Sequence, residues 1–258
     1  MMTAQAREKN KMKPFHKNKI SVLMPAYNED PKIYDNLIYC FCVFEKFGFS
    51  FEIILIDDGS TDNTADMALK AAKEHGEIRL VSNAKNTGKG FALKNGFENS
   101  TGDLIVFLDS DLEIDPFQAG GLLKAMEDKN ADIVIGSKRH KDSFIKYPAE
   151  RKVLSFAYFM MIKFMFNLNV TDTQAGIKIF RREALEYAFP KILCKKYAFD
   201  VEILAVAAKK KFKIIEEPIK VIFSRNTSWG RIKIRDIWDI GIDTIAIFYR
   251  MKILRYYK

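Results

Sequence analysis

The sequence predicts an α/β fold built on a mostly parallel sheet with helices on both faces. Two observations predict it. Between Ile20 and Ser137, short apolar runs alternate with stretches of helical periodicity, the order expected of a βα series. The runs are also apolar at nearly every position, as in IILI and LIVFL. A strand wetted on one face alternates apolar with polar, so strands of this kind need cover on both sides and favour parallel pairing.

Taken in order, strands are expected at ISVLMP (20–25), FEIILID (51–57), IRLVS (78–82), DLIVFLD (103–109) and DIVIGS (132–137), with helices at 31–47, 62–75, 89–99 and 116–129. The second half is less regular. Residues 149–168 read as a helix that is apolar nearly all round, although Lys163 interrupts a stretch already short for a membrane span. Residues 231–254 read as an amphipathic helix in which Arg231, Lys233, Arg235, Asp239, Asp243 and Arg250 stand among Ile, Trp, Phe and Tyr. Burial in the core would account for both helices. Basic and aromatic residues beside a Leu/Ile/Phe face suit equally well a helix lying flat on a membrane interface. Residues 1–19 are polar and basic, without the apolar run of a signal peptide, and read as a disordered tail. That leaves a main domain at 20–225 and a C-terminal interfacial segment at 226–258.

With 258 residues, 48% of them hydrophobic, the chain can bury one sizeable core. Its net charge of +9 divides unevenly, −5 over residues 1–136 and +14 over residues 137–258. A basic half suits nucleic acid, an anionic membrane or a phosphorylated substrate. No RNA- or DNA-binding motif is recognisable, so nucleic acid is not an expected partner. Cys40, Cys42 and Cys194 are odd in number and lack CxxC spacing, which reads as buried thiols in a reducing compartment. His16, His75 and His140 lack ligand spacing, so zinc is not expected.

In an open parallel sheet the ligand binds beyond the carboxyl ends of the strands. The polar stretches fall there: PAYNE after the first strand, DDGSTDNT after the second, NAKNTGKG after the third and DSD after the fourth. Asp109 and Asp111, two apart at the mouth of the sheet, repel one another unless they share a cation. Their oxygens favour Mg²⁺ or Mn²⁺, which keeps open places for substrate phosphates. Asp57 and Asp58 close an apolar strand where an acceptor can take the N–H of a base or the hydroxyls of a ribose. Alternatively, Asp58 and Ser60 serve only to form the turn and cap the next helix. Gly88 and Gly90 permit close backbone approach and Lys89 adds a positive charge, but GxxxxGK[ST] is absent and this is no P-loop.

In this order and spacing, PAYNE (25–29), DDGSTDNT (57–64), NTGKG (86–90) and LDSD (108–111) resemble the nucleotide-sugar half of glycosyltransferase family 2, whose fold is the GT-A arrangement. GSKRH (136–140), DTQAGIKIFRR (172–182) and YAFDVEIL (197–204) look like the enzymes that move one sugar from a nucleotide onto a polyprenyl phosphate. Among those the chain is most similar to dolichyl-phosphate glucose synthases, then mannose synthases. The resemblance covers about Ile20 to Lys233.

The resemblance implies nucleotide contacts from Pro25, Ala26, Tyr27, Glu29 and Asp57, with Asp58, Lys89 and Ser110 beside them, and a metal on Asp109, Asp111 and Glu113. It implies acceptor-phosphate contacts from Lys138, Arg139 and Arg151, with Arg231 as a further candidate, and donor-sugar contacts from Gln174 and Glu202. The chemistry would fall on Asp109, Asp111 and Asp200, the last as an orienting group, because a phosphate acceptor is already an anion and needs little help from a base. Relatives commonly have Arg where Lys138 stands, and the change loses the planar fork. Many relatives also add transmembrane helices. None is found in this sequence, so membrane contact is expected from peripheral helices, a partner subunit or a homo-oligomer, on the cytoplasmic face. No QxxRW motif is present, which implies one sugar per acceptor. Two other readings are a family 2 enzyme acting on a soluble glycan or protein, and a catalytically silent nucleotide- or nucleic-acid-binding module.

Overall fold

The computed structural model describes residues 18–145, 149–221 and 234–257. The first half follows the expected series: β1 (Ile20–Ala26), α1 (Ile33–Phe47), β2 (Phe51–Asp57), α2 (Thr64–Glu74), β3 (Ile78–Ser82), α3 (Lys89–Glu98), β4 (Leu104–Leu108), α4 (Gln118–Asp128) and β5 (Ile133–Ser137). A short strand β6 (Phe144–Ile145) and the long helix α5 (Ala149–Phe166) come next. They are followed by β7 (Ile177–Arg181), α6 (Arg182–Ala188), α7 (Phe199–Lys209), β8 (Ile214–Pro218), β9 (Lys220–Val221) and α8 (Ile234–Phe248).

The main sheet has seven strands in the order β3-β2-β1-β4-β7-β5-β8. Strands β1, β2, β3 and β4 pair in parallel, as do β5 and β8, but β7 runs antiparallel between β4 and β5. The sheet is therefore mixed where a plain βα series would have put β5 beside β4. The reversal has a consequence for the site. Because Ile177 lies opposite Leu108, the DTQAG segment that leads into β7 arrives at the carboxyl ends of the parallel strands.

Alternate residues of each strand enter opposite cores. Leu23, Ile54, Ile56, Ile105, Phe107, Ile133, Ile135 and Phe180 pack on one face with α3, α6 and α7. Val22, Met24, Ile53, Leu55, Val106, Leu108, Val134 and Ile179 pack on the other with α1, α2 and α4. This is the two-sided burial that the apolar runs demand, and each such side chain contributes roughly 1.5–3 kcal/mol on leaving water.

Two expected boundaries change. Lys19 belongs to the fold: its amide donates to Asp103 (3.0 Å) and its ammonium to Thr101 (2.6 Å). Residues 1–17 lie outside the described residues. The C-terminal segment is no appendage, since Ile247 and Tyr257 are buried in the same core as α7. Helices α5 and α8 lie together, with Tyr158 bonded to Thr244 (3.3 Å) and Phe166 edge-on to Phe248. Their outer faces stay bare: Phe156, Met160 and Phe164 on one, Trp238, Ile242 and Ile245 on the other. Among the described residues no helix is long and apolar enough to cross a membrane.

Candidate active site

The carboxyl ends of β1, β2 and β4 meet the start of β7 and the first turn of α7. Asp109 leaves β4 with its amide bonded to the Gly176 carbonyl (3.1 Å). The turn that follows has Leu112 at φ 50°, and the Glu113 amide donates to Asp111 (3.3 Å). Ser110 is turned inward, its hydroxyl donating to the Pro25 carbonyl (2.9 Å), while Asn36 donates to the Ser110 carbonyl (2.8 Å). These bonds join β4 to β1 and leave Asp109 and Asp111 directed outward. A recess of about 70 Å³ results, lined by Asp109, Asp111, Glu113, Ile114, Lys138, Gln174, Gly176 and Val221.

What holds the clustered carboxylates is a lysine. Lys89, the first residue of α3, donates to Asp109 Oδ1 (2.6 Å). Burial by itself would pull its ammonium down, but Asp109, Asp200 and Asp111 together outweigh that and hold it well above its ordinary range. Lys89 is placed by its loop. Gly88 has φ 97°, and a β-carbon there would stand 2.7 Å from the Lys195 carbonyl oxygen, so only glycine fits. The same carbonyl accepts the amides of Gly90 (2.8 Å) and Phe91 (3.2 Å).

Beneath the recess lies a residue that falls within the DTQAGIKIFRR motif but was given no role from the sequence. Lys178, the second residue of β7, is 1% exposed and donates to Asp200 Oδ1 (2.6 Å) and the Ala175 carbonyl (2.7 Å). Burial pulls its ammonium down from the ordinary value, and Asp200 opposes the shift. A lysine inside the apolar run IKIF was the available signal, because a buried charge requires a partner. Asp172 was missed as well. It accepts the amides of Lys138 (2.9 Å) and Gln174 (3.2 Å) and so joins the end of β5 to the DTQ turn.

A sequence model of the glycosyl transferase family 2 matches residues 21–189, well over half of the chain. The chain belongs to glycosyl transferase family 2. This glycosyltransferase is 33% identical over 241 residues to a dolichyl-phosphate beta-glucosyltransferase of Trichomonas vaginalis, covering 88% of this chain and 71% of the relative. It is 33% identical over 256 residues to the dolichyl-phosphate beta-glucosyltransferase of Saccharomyces cerevisiae, covering 92% and 74%. Its fold is shared with glucosyl-3-phosphoglycerate synthase from Mycobacterium tuberculosis, solved with Mn²⁺, uridine diphosphate and glucosyl-3-phosphoglycerate. That likeness has a TM-score of 0.67 at 21% identity over 90% of this chain and 79% of the other. Mannosyl-3-phosphoglycerate synthase from Rubrobacter xylanophilus has a TM-score of 0.69 at 18% identity, over 93% and 76%. The sheet is thus that of the GT-A glycosyltransferases.

The family 2 motifs converge, but two expected contacts change. Asp58 turns into the loop after β3: both its oxygens are taken by the amides of Thr87 (3.0 and 3.1 Å) and Gly88 (2.8 Å), the Thr87 hydroxyl (2.6 Å) and Asn83 (2.8 Å). It builds the loop that carries Lys89. Glu202 is fully buried on the far side of α7 from Asp200, accepting the amides of Leu193 (3.0 Å) and Cys194 (2.7 Å), Arg250 (2.9 Å) and the Tyr257 hydroxyl. It fastens the C-terminal segment and does not reach the donor sugar.

The remaining expected residues fall around the recess or at the carboxyl ends of β1 and β2. Asp57 closes β2 and accepts the Ser60 amide (3.1 Å). Ala26 is buried with its carbonyl accepting the Asp58 amide (2.9 Å), Tyr27 is 39% exposed, and the Glu29 amide donates to Thr64 (2.8 Å). Gln174 donates to the Tyr197 carbonyl (3.3 Å). The Lys138 ammonium lies 3.9 Å from Asp172, and the Arg139 guanidinium lies over the rings of Phe159 and Phe156 on α5 (5.1 and 6.0 Å). The side chain of Arg151 and all of Arg231 lie outside the described residues.

Proposed function

We propose that this glycosyltransferase moves a single hexose from a nucleoside diphosphate sugar onto a polyprenyl phosphate at a membrane surface, with inversion at the anomeric carbon. Glucose from a uridine diphosphate donor is the leading case, by the relatives' names. Guanosine diphosphate mannose is the second. One observation carries the reading. The recess that gathers Asp109, Asp111 and Glu113 also gathers Lys138, and beside it Arg139 lies on an apolar helix whose outer face is bare. Carboxylates for a metal-bound diphosphate, cations for an anionic acceptor and an apolar surface for its tail therefore adjoin.

The donor set at the recess is all oxygen and fits Mg²⁺ or Mn²⁺, held by Asp109 and Asp111 with Glu113 beside them. An ion on these carboxylates would take its other ligands from water and the diphosphate. When bound, the ion stabilises charge on the departing diphosphate. Pro25, Tyr27, Glu29 and Asp57 would border the nucleotide, Gln174 and Asp200 would orient the hexose, and Lys138 with Arg139 would hold the acceptor phosphate. An acceptor oxygen then attacks the anomeric carbon as the bond to the diphosphate breaks. The attacking oxygen is already anionic, so no proton need be removed. The bare faces of α5 and α8 would lie on the bilayer, on the cytoplasmic side, where the free thiols Cys40 and Cys194 would stay reduced.

The test is turnover of a panel of labelled nucleotide sugars with polyprenyl phosphate in detergent and either metal. Product extracting into organic solvent, lost in excess chelator, is expected. Label passing only to a water-soluble glycan or protein would overturn the reading.

A further inference from the structure

We infer that Lys178 is a positioning residue of the transfer site, whose ammonium holds the Asp200 carboxylate and the Ala175 carbonyl together beneath Asp109 and so sets the place of both. The inference rests on the proposed reading of Asp200 as an orienting group for the donor hexose.

Lys178 is the second residue of the reversed strand, opposite Phe107 on β4 and Ile135 on β5. Its two bonds, 2.6 Å to Asp200 and 2.7 Å to the Ala175 carbonyl, tie the first turn of α7 to the backbone entering β7. One peptide further on, the Gly176 carbonyl accepts the Asp109 amide at 3.1 Å, and the glycine's α-carbon lies against the Asp109 carboxylate. Asp200 in turn acts on Lys89, which is bonded to Asp109 at 2.6 Å. Lys178, Asp200, Lys89 and Asp109 thus form a chain of alternating charge from the core to the recess. Stability alone does not call for this arrangement. Two well-packed apolar side chains of similar volume commonly serve a fold as well as a buried ion pair does. What an apolar pair lacks is direction, and both partners of Lys178 lead to the carboxylate that lines the recess.

The experiment compares Lys178→Met, Asp200→Asn and the double variant Lys178→Met/Asp200→Leu, reading thermal midpoint, Mn²⁺ affinity without substrate, and kcat and KM for the donor. The single Lys178→Met leaves a buried carboxylate unpaired and lowers the midpoint. The double variant removes both charges and restores much of it. Net charge is the same in the double variant as in the parent, so a change in its Mn²⁺ affinity does not report a change in overall charge. We expect that affinity to fall roughly tenfold or more, since misplacement by about 1 Å is enough to cost far more in rate. Asp200→Asn, which keeps a partner for Lys178, should lower kcat while leaving Mn²⁺ affinity within about threefold of the parent, on the same positional argument. A folded double variant that binds Mn²⁺ as the parent does would make Lys178 merely a buried structural cation and overturn the inference. Parental kcat in Asp200→Asn would instead overturn the role given to Asp200, leaving the Mn²⁺ comparison to judge Lys178.

Discussion

The amide of Asp109 donates to the carbonyl of Gly176 across 3.1 Å, and a β-carbon at Gly176 would stand 2.5 Å from Asp109 Oδ2. The strand that leads away from the site thus presses its backbone against a carboxylate of the recess. Gly176→Ala should push that carboxylate aside while leaving the fold intact, because the contact is with a partly exposed side chain end. A loss of about a hundredfold in kcat is expected, together with weaker Mn²⁺ binding. Parental kinetics would show that Asp109 tolerates the shift.

Asp57 and Asp58 are neighbours with separate tasks. Removing Asp58 strands the part-buried amides of Thr87 and Gly88, at a cost towards the lower end of the roughly 1–3 kcal/mol for buried groups left unpaired. Asp58→Ala should therefore lower the thermal midpoint and loosen the loop that presents Lys89. Asp57→Ala should keep the midpoint closer to the parent and raise KM for the nucleotide sugar. Melting curves and donor titrations on the two variants check this, and equal loss of midpoint would contradict it.

The pH limits of the fold trace to two buried networks. Burial raises the Glu52 carboxyl, but bonds from Ser21 and from the amide and hydroxyl of Thr101, with Lys19 nearby, outweigh it and bring the group to about 2. Its contribution is complete above the ordinary carboxylate value near 4.5 and fades as pH falls towards 2. At the other end, burial and then the Glu202 bond push the Tyr257 phenol upward. Its contribution to stability is complete below the ordinary phenol value near 10 and fades as the pH rises from there towards the raised value in the fold. Glu52→Gln should flatten the acid limb of stability against pH, and Tyr257→Phe the alkaline limb. Unchanged limbs in denaturant titrations would place the titrating groups elsewhere.

Lipid contact should depend on the bare faces of α5 and α8. Replacing Phe164, Trp238 and Ile242 together by Glu removes apolar burial and adds charge that anionic lipids repel. Sedimentation with anionic vesicles should fall by at least about tenfold. Binding by the parent should weaken in 1 M salt, where the Debye length shrinks to about 3 Å. Equal pelleting of variant and parent would remove these helices from the membrane contact.

The βα series was legible because its strands are buried on both faces, so that runs such as LIVFL have hardly another use. The expected limits for β2 and β3 match those observed, and the helices begin or end within a few residues of expectation. The reversed strand was not legible. A strand of five residues, IKIFR, carries no mark of its direction, and pairing with β4 and β5 is decided by packing across the sheet. Of the recess, DSD was readable as clustered carboxylates at a strand end, whereas DTQ was singled out only by its resemblance to the family. Glu202 shows where motif reading fails. Asp200 and Glu202 are two apart on a helix, about 200° around its axis, so the motif cannot present both carboxylates to one site. Asp200 meets Lys178 while Glu202 meets Arg250.

The placement of β7 also bears on how the chain is made. Strand β4 leaves the ribosome after β1, its partner on one edge, but the strand that covers its other edge begins only at Ile177. Until then, Leu104 to Leu108, nearly dry in the finished fold, form an open apolar edge able to pair with any strand at hand. Long-range pairings of this kind form slowly and expose the chain to aggregation meanwhile. The nascent protein is thus most in need of a chaperone between the emergence of β4 and that of β7, and a ribosome stalled within α5 would release a half-sheet that is primed to stick.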